Sequence, residues 1–446
     1  MNTGSFFKGL LDKVAAPADP ARGAARCARE VAELCHSLLS GRGEVSGAAL
    51  ARELLAAYAG LPAAAHTPFL NLLASDFSPD AAAISRAADT FADEPSPHHL
   101  IALQRAVESP RQELFRRLNV APGATAMLIE LRRRLLREIK AHPQLAAVDS
   151  DLAHLFSSWF NRGFLKLERI DWRTPALVLE KLIAYEAVHE IAGWNDLRRR
   201  LAADRRCFGF FHPALPDEPL IFIEVALTKR ISSTVAPLLD PNSPVADPFH
   251  ADSAIFYSIT NCQDGLRGIS FGNLLIKQVA AELSREFPRL KNFATLSPIP
   301  GFARWLEQQA IGSPTLAALL STLQTTGWHL PAAQAETLRA ALTSQCARYL
   351  LHEKQEGKPV DPVARFHLGN GARLENLHWL ADTTPAGLQR SAGMMVNYIY
   401  DLDEVEANHE AFVGNGRIAA SHAIRKLARE YEKAGNGVEP KPQRRK

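Results

Sequence analysis

The sequence predicts two kinds of structure in one chain: an all-helical, bundle-like domain over residues 19–162, then a mixed α and β domain over 163–432. Three observations lead there. Apolar residues recur at helical spacing from Asp19 to about Phe160, the composition changes around Gly163, and beyond Cys207 short β-branched and aromatic runs take over. At 446 residues the chain exceeds one ordinary domain and suffices for two with real cores.

In the first domain, Ala25, Ala28, Val31, Leu34, Leu38 and Leu39 form a helical stripe that Gly41-Arg-Gly ends. Further helices are expected at about 47–59, 79–93, 98–118, 124–141 and 149–161, with prolines between them. The run Arg132-Arg133-Arg134, with Arg137, sits on the helix whose apolar stripe is Met127, Leu131, Leu135 and Ile139. It reads as a solvated basic face, paired within the helix or between subunits. In the second domain, helices at 177–185 and 194–201 precede strands at Phe208–Phe211 and Leu220–Leu227. The Pro- and Asp-rich stretch Ile231–Ala251 reads as a surface loop near the substrate. Residues 1–18 are expected to be flexible, and the polar, proline-containing 433–446 to be a disordered tail.

The stretch from Ala254 to Pro300 organises the second domain. Ala254–Thr260 suits a buried strand, and Gly265, Gly268 and Gly272 form a turn. Ile276, Val279, Ala280, Leu283 and Phe287 then recur at helical spacing up to Pro288. Phe293–Ser297 reads as the next strand, stopped by Pro298 and Pro300. The free amides and positive dipole end of a helix after such a turn favour an anion, and Arg267 adds charge. The turn matches neither GxGxxG nor GxxxxGK[ST], and glycine turns are common without any ligand. Helices at 314–324 and 331–351 follow, then strands near Arg365–His367 and Met394–Tyr400.

Composition narrows the function. Apolar residues make up 47% and charged residues 22%, and the net charge of +3 gives no nucleic-acid footprint. No apolar run approaches the ~20 residues that span a bilayer. Cys27, Cys35, Cys207, Cys262 and Cys346 show no CxxC spacing, which suits reduced thiols. Cys262, near the turn, reads as a small half-buried residue rather than a nucleophile. The histidines lack HExxH or another metal spacing, and His98-His99 reads as a surface pair at a helix start. No metal site is expected.

Five stretches, FNRGFLKLERIDW, YEAVHEI, FYSITNCQDGLRGISFGNLLIKQV, LSPIPGFARWL and DPVARFHLGNGA, resemble malonyl-CoA decarboxylases, and the resemblance runs from about Asn161 onward. It implies a helical N-terminal domain with oligomer contacts and a catalytic domain of the GNAT (N-acetyltransferase-like) fold, holding coenzyme A at a strand-loop-helix pyrophosphate site. It implies conversion of malonyl-CoA to acetyl-CoA and carbon dioxide without metal, biotin, thiamine or pyridoxal phosphate, in a homo-oligomer, dimer or tetramer; the alanine- and arginine-rich sequence reads as bacterial and places the protein in the cytoplasm. Taken alone, Ser297 reads as a turn-capping hydroxyl and His367 as a core or surface histidine. By the resemblance they match the catalytic serine and histidine, with Ser297 positioning the malonyl group and His367 protonating the enolate. Arg267, Gly268, Ile269, Ser270, Phe271, Gly272 and Asn273 match the coenzyme A loop, and Ser258 and Asn370 fall in matched motifs. Ser270 stands where relatives carry a glutamate, so any orienting role of that carboxylate is absent. Asp361 and Asp382 are the candidates to orient His367, while Tyr398 reads equally well as core packing. An acyl-CoA N-acyltransferase is the alternative the fold permits, and it would need an amine substrate.

Overall fold

The computed structural model describes residues 20–40, 43–269, 271 and 275–435. Of the segments expected to be flexible or disordered, 1–18 and 436–446 lie outside the described residues, while 433–435 are not disordered but close the last helix, His422–Gly435. The chain falls into two compact units, and their division does not follow sequence order. One takes residues up to Phe164 together with Pro213–Pro216 and Gln263–Ser270, and the other takes the rest.

The first unit is helical: α1 (Pro20–Ser40), α2 (Glu44–Ala59), α3 (His66–Ser75), α4 (Ala81–Asp93), α5 (Pro97–Val107), α6 (Pro110–Leu118), α7 (Ala124–Glu138) and α8 (Ala146–Trp159). Local chemistry sets several starts. Asp80 accepts from the Ala82 N–H to cap α4, and Ser96 accepts from the His99 N–H ahead of Pro97 to cap α5. The single helix expected over 98–118 is two, because proline at 110 suits a first turn and not an interior. α3 went unpredicted. Of the α7 stripe, Leu131 and Leu135 are buried together with Leu128. Arg132 is buried as well, against the expectation of a solvated face, while Arg133 and Arg134 pair with Glu130 as expected.

The second unit is mixed. Its strands are β1 (Lys166–Ile170), β2 (Arg205–Phe211), β3 (Pro219–Thr228), β4 (Ser253–Asn261), β5 (Asn292–Thr295), β6 (Ser297–Pro298), β7 (Lys354–Gln355), β8 (Lys358–Pro359), β9 (Arg373–His378) and β10 (Met395–Ile399). Strands β7 and β8 make a separate two-stranded pair. In the main sheet the order is β1-β2-β3-β4-β5-β10-β6, with β9 also on β10. Neighbours are antiparallel except β4 and β5. A parallel pair needs a crossover, and the helix at Leu275–Glu286 supplies it. β3 is buried along nearly its whole length, so it reads as a continuous apolar run without alternation. β1 and β9 are only partly buried and carry charges, which hid them in the sequence.

The remaining helices are α9 (Ala176–Tyr185), α10 (Trp194–Arg200), α11 (Ala236–Leu239), α12 (Leu275–Glu286), α13 (Phe302–Ala310), α14 (Pro314–Leu323), α15 (Ala332–His352), α16 (Pro362–Gly369), α17 (Pro385–Ser391), α18 (Val405–Asn415) and α19 (His422–Gly435). The strand expected near Arg365–His367 is instead α16. Asp361 accepts from the Val363 and Ala364 N–H groups, Pro362 takes the first turn, and Gly371 stops the chain at φ +82°. Ile231–Ala251 is no simple loop: it contains α11, and Val235 and Leu238 are buried beside Tyr257 and Leu296. No helix among the described residues is long and apolar enough to cross a membrane.

Candidate active site

Ser297 and His367, 70 residues apart, meet in the second unit. Ser297 opens β6, where the chain leaves the parallel pairing of β5 on β4 and Val396 of β10 becomes its partner. His367 lies on α16. Its Nε2 is 3.1 Å from Ser297 Oγ, and its Nδ1 is 2.8 Å from the Tyr400 hydroxyl. The ring stacks on Tyr398, with centroids 4.6 Å apart.

These contacts set the tautomer. The one Ser297 hydroxyl proton goes to Thr295 Oγ1 at 2.9 Å. That leaves Ser297 Oγ to accept from Nε2–H, and Nδ1 to accept from Tyr400. Thr295 Oγ1 also accepts from the Tyr398 N–H. A directed row results, Tyr400 to His367 to Ser297 to Thr295. Burial lowers the His367 pKa to about 3, so the imidazole is neutral at physiological pH. Burial also pushes the Tyr400 hydroxyl well up, so it keeps its proton.

The pair opens into a cavity of about 220 Å³, whose other walls include Val188, Phe256, Ile259, Pro298 and Phe366. That is below the ~300 Å³ typical of a drug-sized site. It suits the reacting end of a ligand. The β3–β4 register shifts opposite Tyr257, a bulge that interrupts the strand at the cavity wall.

The other expected residues are dispersed. Ser258 does not face the cavity: its hydroxyl donates to both Glu186 carboxylate oxygens at 2.8 Å. Glu186 also accepts from the Val188 and His189 N–H groups, which ties β4 to the segment that carries the Val188 wall. Asn370 closes α16, its amide donating to the Phe366 carbonyl. Neither Asp361 nor Asp382 contacts His367. Asp361 caps α16, and Asp382 accepts from Thr384. Tyr400, rather than either candidate aspartate, meets His367 Nδ1. Its signal lay two residues beyond Tyr398, on the same face of an extended segment.

Of the glycine loop, Ser270, Gly272 and Asn273 lie outside the described residues. The part before them, a 3-10 turn at Asp264–Leu266 followed by Arg267, Gly268 and Ile269, belongs to the helical unit, while Phe271 belongs to the other. Arg267 is exposed and pairs with Asp264, Ile269 and Phe271 are buried, and Gly268 has φ +81°. The half-buried Cys262 thiol is pushed up by burial, which makes it a poor nucleophile. Among the described residues no three His, Cys, Asp or Glu side chains gather as a metal site.

Known proteins align with both parts of the chain. Residues 163–437 match the malonyl-CoA decarboxylase C-terminal domain and 77–160 the N-terminal domain. The mitochondrial malonyl-CoA decarboxylase of Anser anser anser is 38% identical over 355 residues, covering 73% of this chain and 70% of its own. The crystal structure of the Rhodopseudomonas palustris malonyl-CoA decarboxylase superposes with a TM-score of 0.86 at 51% identity, over 90% of this chain and 99% of that one. The structure from Agrobacterium vitis gives 0.84, also at 51% identity and with the same coverage. Matched through its helical and its mixed parts alike, the chain belongs to the malonyl-CoA decarboxylase family.

Proposed function

We propose that the chain, a carboxy-lyase of this family, converts malonyl-CoA to acetyl-CoA and carbon dioxide through a thioester enolate held between Ser297 and His367. The observation that carries the residue assignment is the Nε2–Oγ contact at the wall of a small, mostly apolar cavity, with Tyr400 behind Nδ1. Breaking the C–C bond leaves its electron pair on the thioester carbonyl, so no metal or organic sink is needed. Ser297 holds the malonyl group in a reactive pose. The substrate carboxylate brings a negative charge into the cavity and favours imidazolium at His367. When carbon dioxide leaves, that charge moves to the enolate, and His367 gives its proton to the methylene carbon. One proton is consumed, and the carbon becomes the acetyl methyl group.

The residues 267–273 are our choice for the coenzyme A phosphates, supported by the amides and guanidinium at that turn. We read the second unit as GNAT-like, on the strength of the parallel pair β4–β5, with a bulge in β4 and a helical crossover. We also assign 163–432 to catalysis and 19–162 to contacts between subunits. Helices α4 and α5 bury none of their residues, and Leu100, Ile101 and Val107 stay exposed, which favours a homo-oligomer. The five free thiols suit a cytoplasmic location.

The test is purified protein with malonyl-CoA and EDTA in D2O, following carbon dioxide and the acetyl product by mass spectrometry. Singly deuterated acetyl-CoA is expected from the wild type, and His367→Asn and Ser297→Ala should each lose about 100-fold or more in kcat. Binding without turnover would sink the reading, as would full activity in either variant.

A further inference from the structure

Glu186 is the first residue beyond α9 and is 8% exposed. Four donors meet its carboxylate. The Val188 and His189 N–H groups donate to Oε1, each at 2.8 Å. The Ser258 hydroxyl lies 2.8 Å from both oxygens, and the Thr260 hydroxyl donates to Oε2 at 3.2 Å. A buried carboxylate is costly unless such donors satisfy it, so these bonds stand or fall as a set.

The set borders the catalytic cavity without lining it. Val188 is one cavity wall, and Ile259, between Ser258 and Thr260 on β4, is another. One carboxylate therefore bonds the main chain of the first wall and both neighbours of the second. The chain beyond Val188 is pinned too. Arg200 Nη2 donates to the carbonyl oxygens of His189 at 2.9 Å and Glu190 at 3.2 Å, and its Nη1 donates to Glu224 of β3 at 2.7 Å. Residues 186–190 form no helix or strand, so these bonds to β3 and β4 fix where Val188 stands.

That placement has a chemical meaning in a cavity of about 220 Å³. With the malonyl group at Ser297 and His367, its methylene carbon has apolar walls around it. An alkyl group on that carbon needs the walls to part, and a clamp across two of them resists this.

We propose that Glu186 is a positioning residue for substrate selection: by clamping Val188 to β4 it sizes the cavity for an unsubstituted malonyl group and rejects thioesters with an alkyl group on the carbon to be protonated. The proposal rests on reading this cavity as the malonyl site. Glu186 itself does not touch the ligand.

The test is kcat/KM on malonyl-CoA and on methylmalonyl-CoA, which would lose carbon dioxide and take up one proton to give propionyl-CoA. The readout is the methylmalonyl-to-malonyl ratio. Val188→Ala should raise it about tenfold, the lower end of what one methylene is worth in a hydrophobic pocket. Glu186→Ala should raise it by a similar factor although every wall residue is intact. Glu186→Gln should stay within about twofold of the wild type, because the amide still accepts from the two N–H groups and donates to the two hydroxyls. If Glu186→Ala does not fold, Ser258→Ala with Thr260→Val, which frees the strand side of the clamp, decides by the same ratio. Equal losses on both thioesters would mean that Glu186 only supports the fold and would overturn the proposal; glutamine behaving as alanine would assign the effect to charge and do the same. If Val188→Ala moves the ratio and the clamp variants do not, the cavity reading stands and the role of Glu186 falls. A wild type inert on both thioesters, or Val188→Ala with an unchanged ratio, would take the malonyl group out of this cavity, and both would fall.

Discussion

At the residue scale, the properties of His367 follow from its surroundings more than from its type. Burial lowers its pKa to about 3, and this reaches beyond catalysis. Below about pH 6.5 the unfolded chain binds a proton at this side chain that the native chain does not, so native stability falls with pH down to about 3. Between pH 7 and pH 5 this one group costs about 2 kcal/mol. Urea unfolding at both pH values should show a difference smaller by about that amount in His367→Asn than in wild type; equal differences would mean the native imidazole protonates normally. Tyr400→Phe removes the donor to Nδ1 while keeping the ring. A drop of about tenfold in kcat with little change in KM is expected, as for one lost hydrogen bond. A loss confined to KM would assign Tyr400 to binding instead.

At the element scale, α16 presents His367 because its ends are well defined. Asp361 caps it at one end, and beyond Asn370 the backbone at Gly371 reaches φ +82°, where a Cβ would also meet the Val405 carbonyl oxygen at 2.0 Å. Loss of an N-cap costs about 1 kcal/mol. Asp361→Ala should therefore lower the melting temperature and kcat together, and Asp361→Asn, which still accepts from the two N–H groups, should restore most of both. Failure of asparagine to restore activity would point to a role for the carboxylate charge. The local signals for α16, Asp-Pro at its start and Asn-Gly at its end, were present in the sequence. Eight residues, with exposed Phe366 and buried His367 side by side, give too short a pattern for periodicity to separate helix from strand.

For the whole molecule, the pair of helices α4 and α5 is the feature a single chain does not explain. Both lack a buried residue, and apolar side chains on α5 remain in water. Leu100→Glu with Ile101→Glu should reduce the mass measured by light scattering while leaving the unfolding midpoint nearly unchanged, because both positions are exposed within one chain. A wild-type monomer, or an unchanged mass in the variant, would remove the subunit-contact role from this hairpin.

Composition, periodicity and turn chemistry were enough to separate a helical half from a mixed half, to place β2, β3, β4 and β10 within a few residues, and to find the strand-loop-helix unit. Ser297 and His367 were legible only as parts of motifs. Such signals report on neighbours within one helical turn or one strand. The tertiary structure decided which partners meet: Ser297 with His367 across 70 residues, Tyr400 behind His367 in place of either candidate aspartate, and Arg132 buried against Gly265 across 133 residues. Whether an arginine faces water or a backbone carbonyl, or a serine faces a cavity or a glutamate, depends on which element packs over it, and no local pattern encodes that.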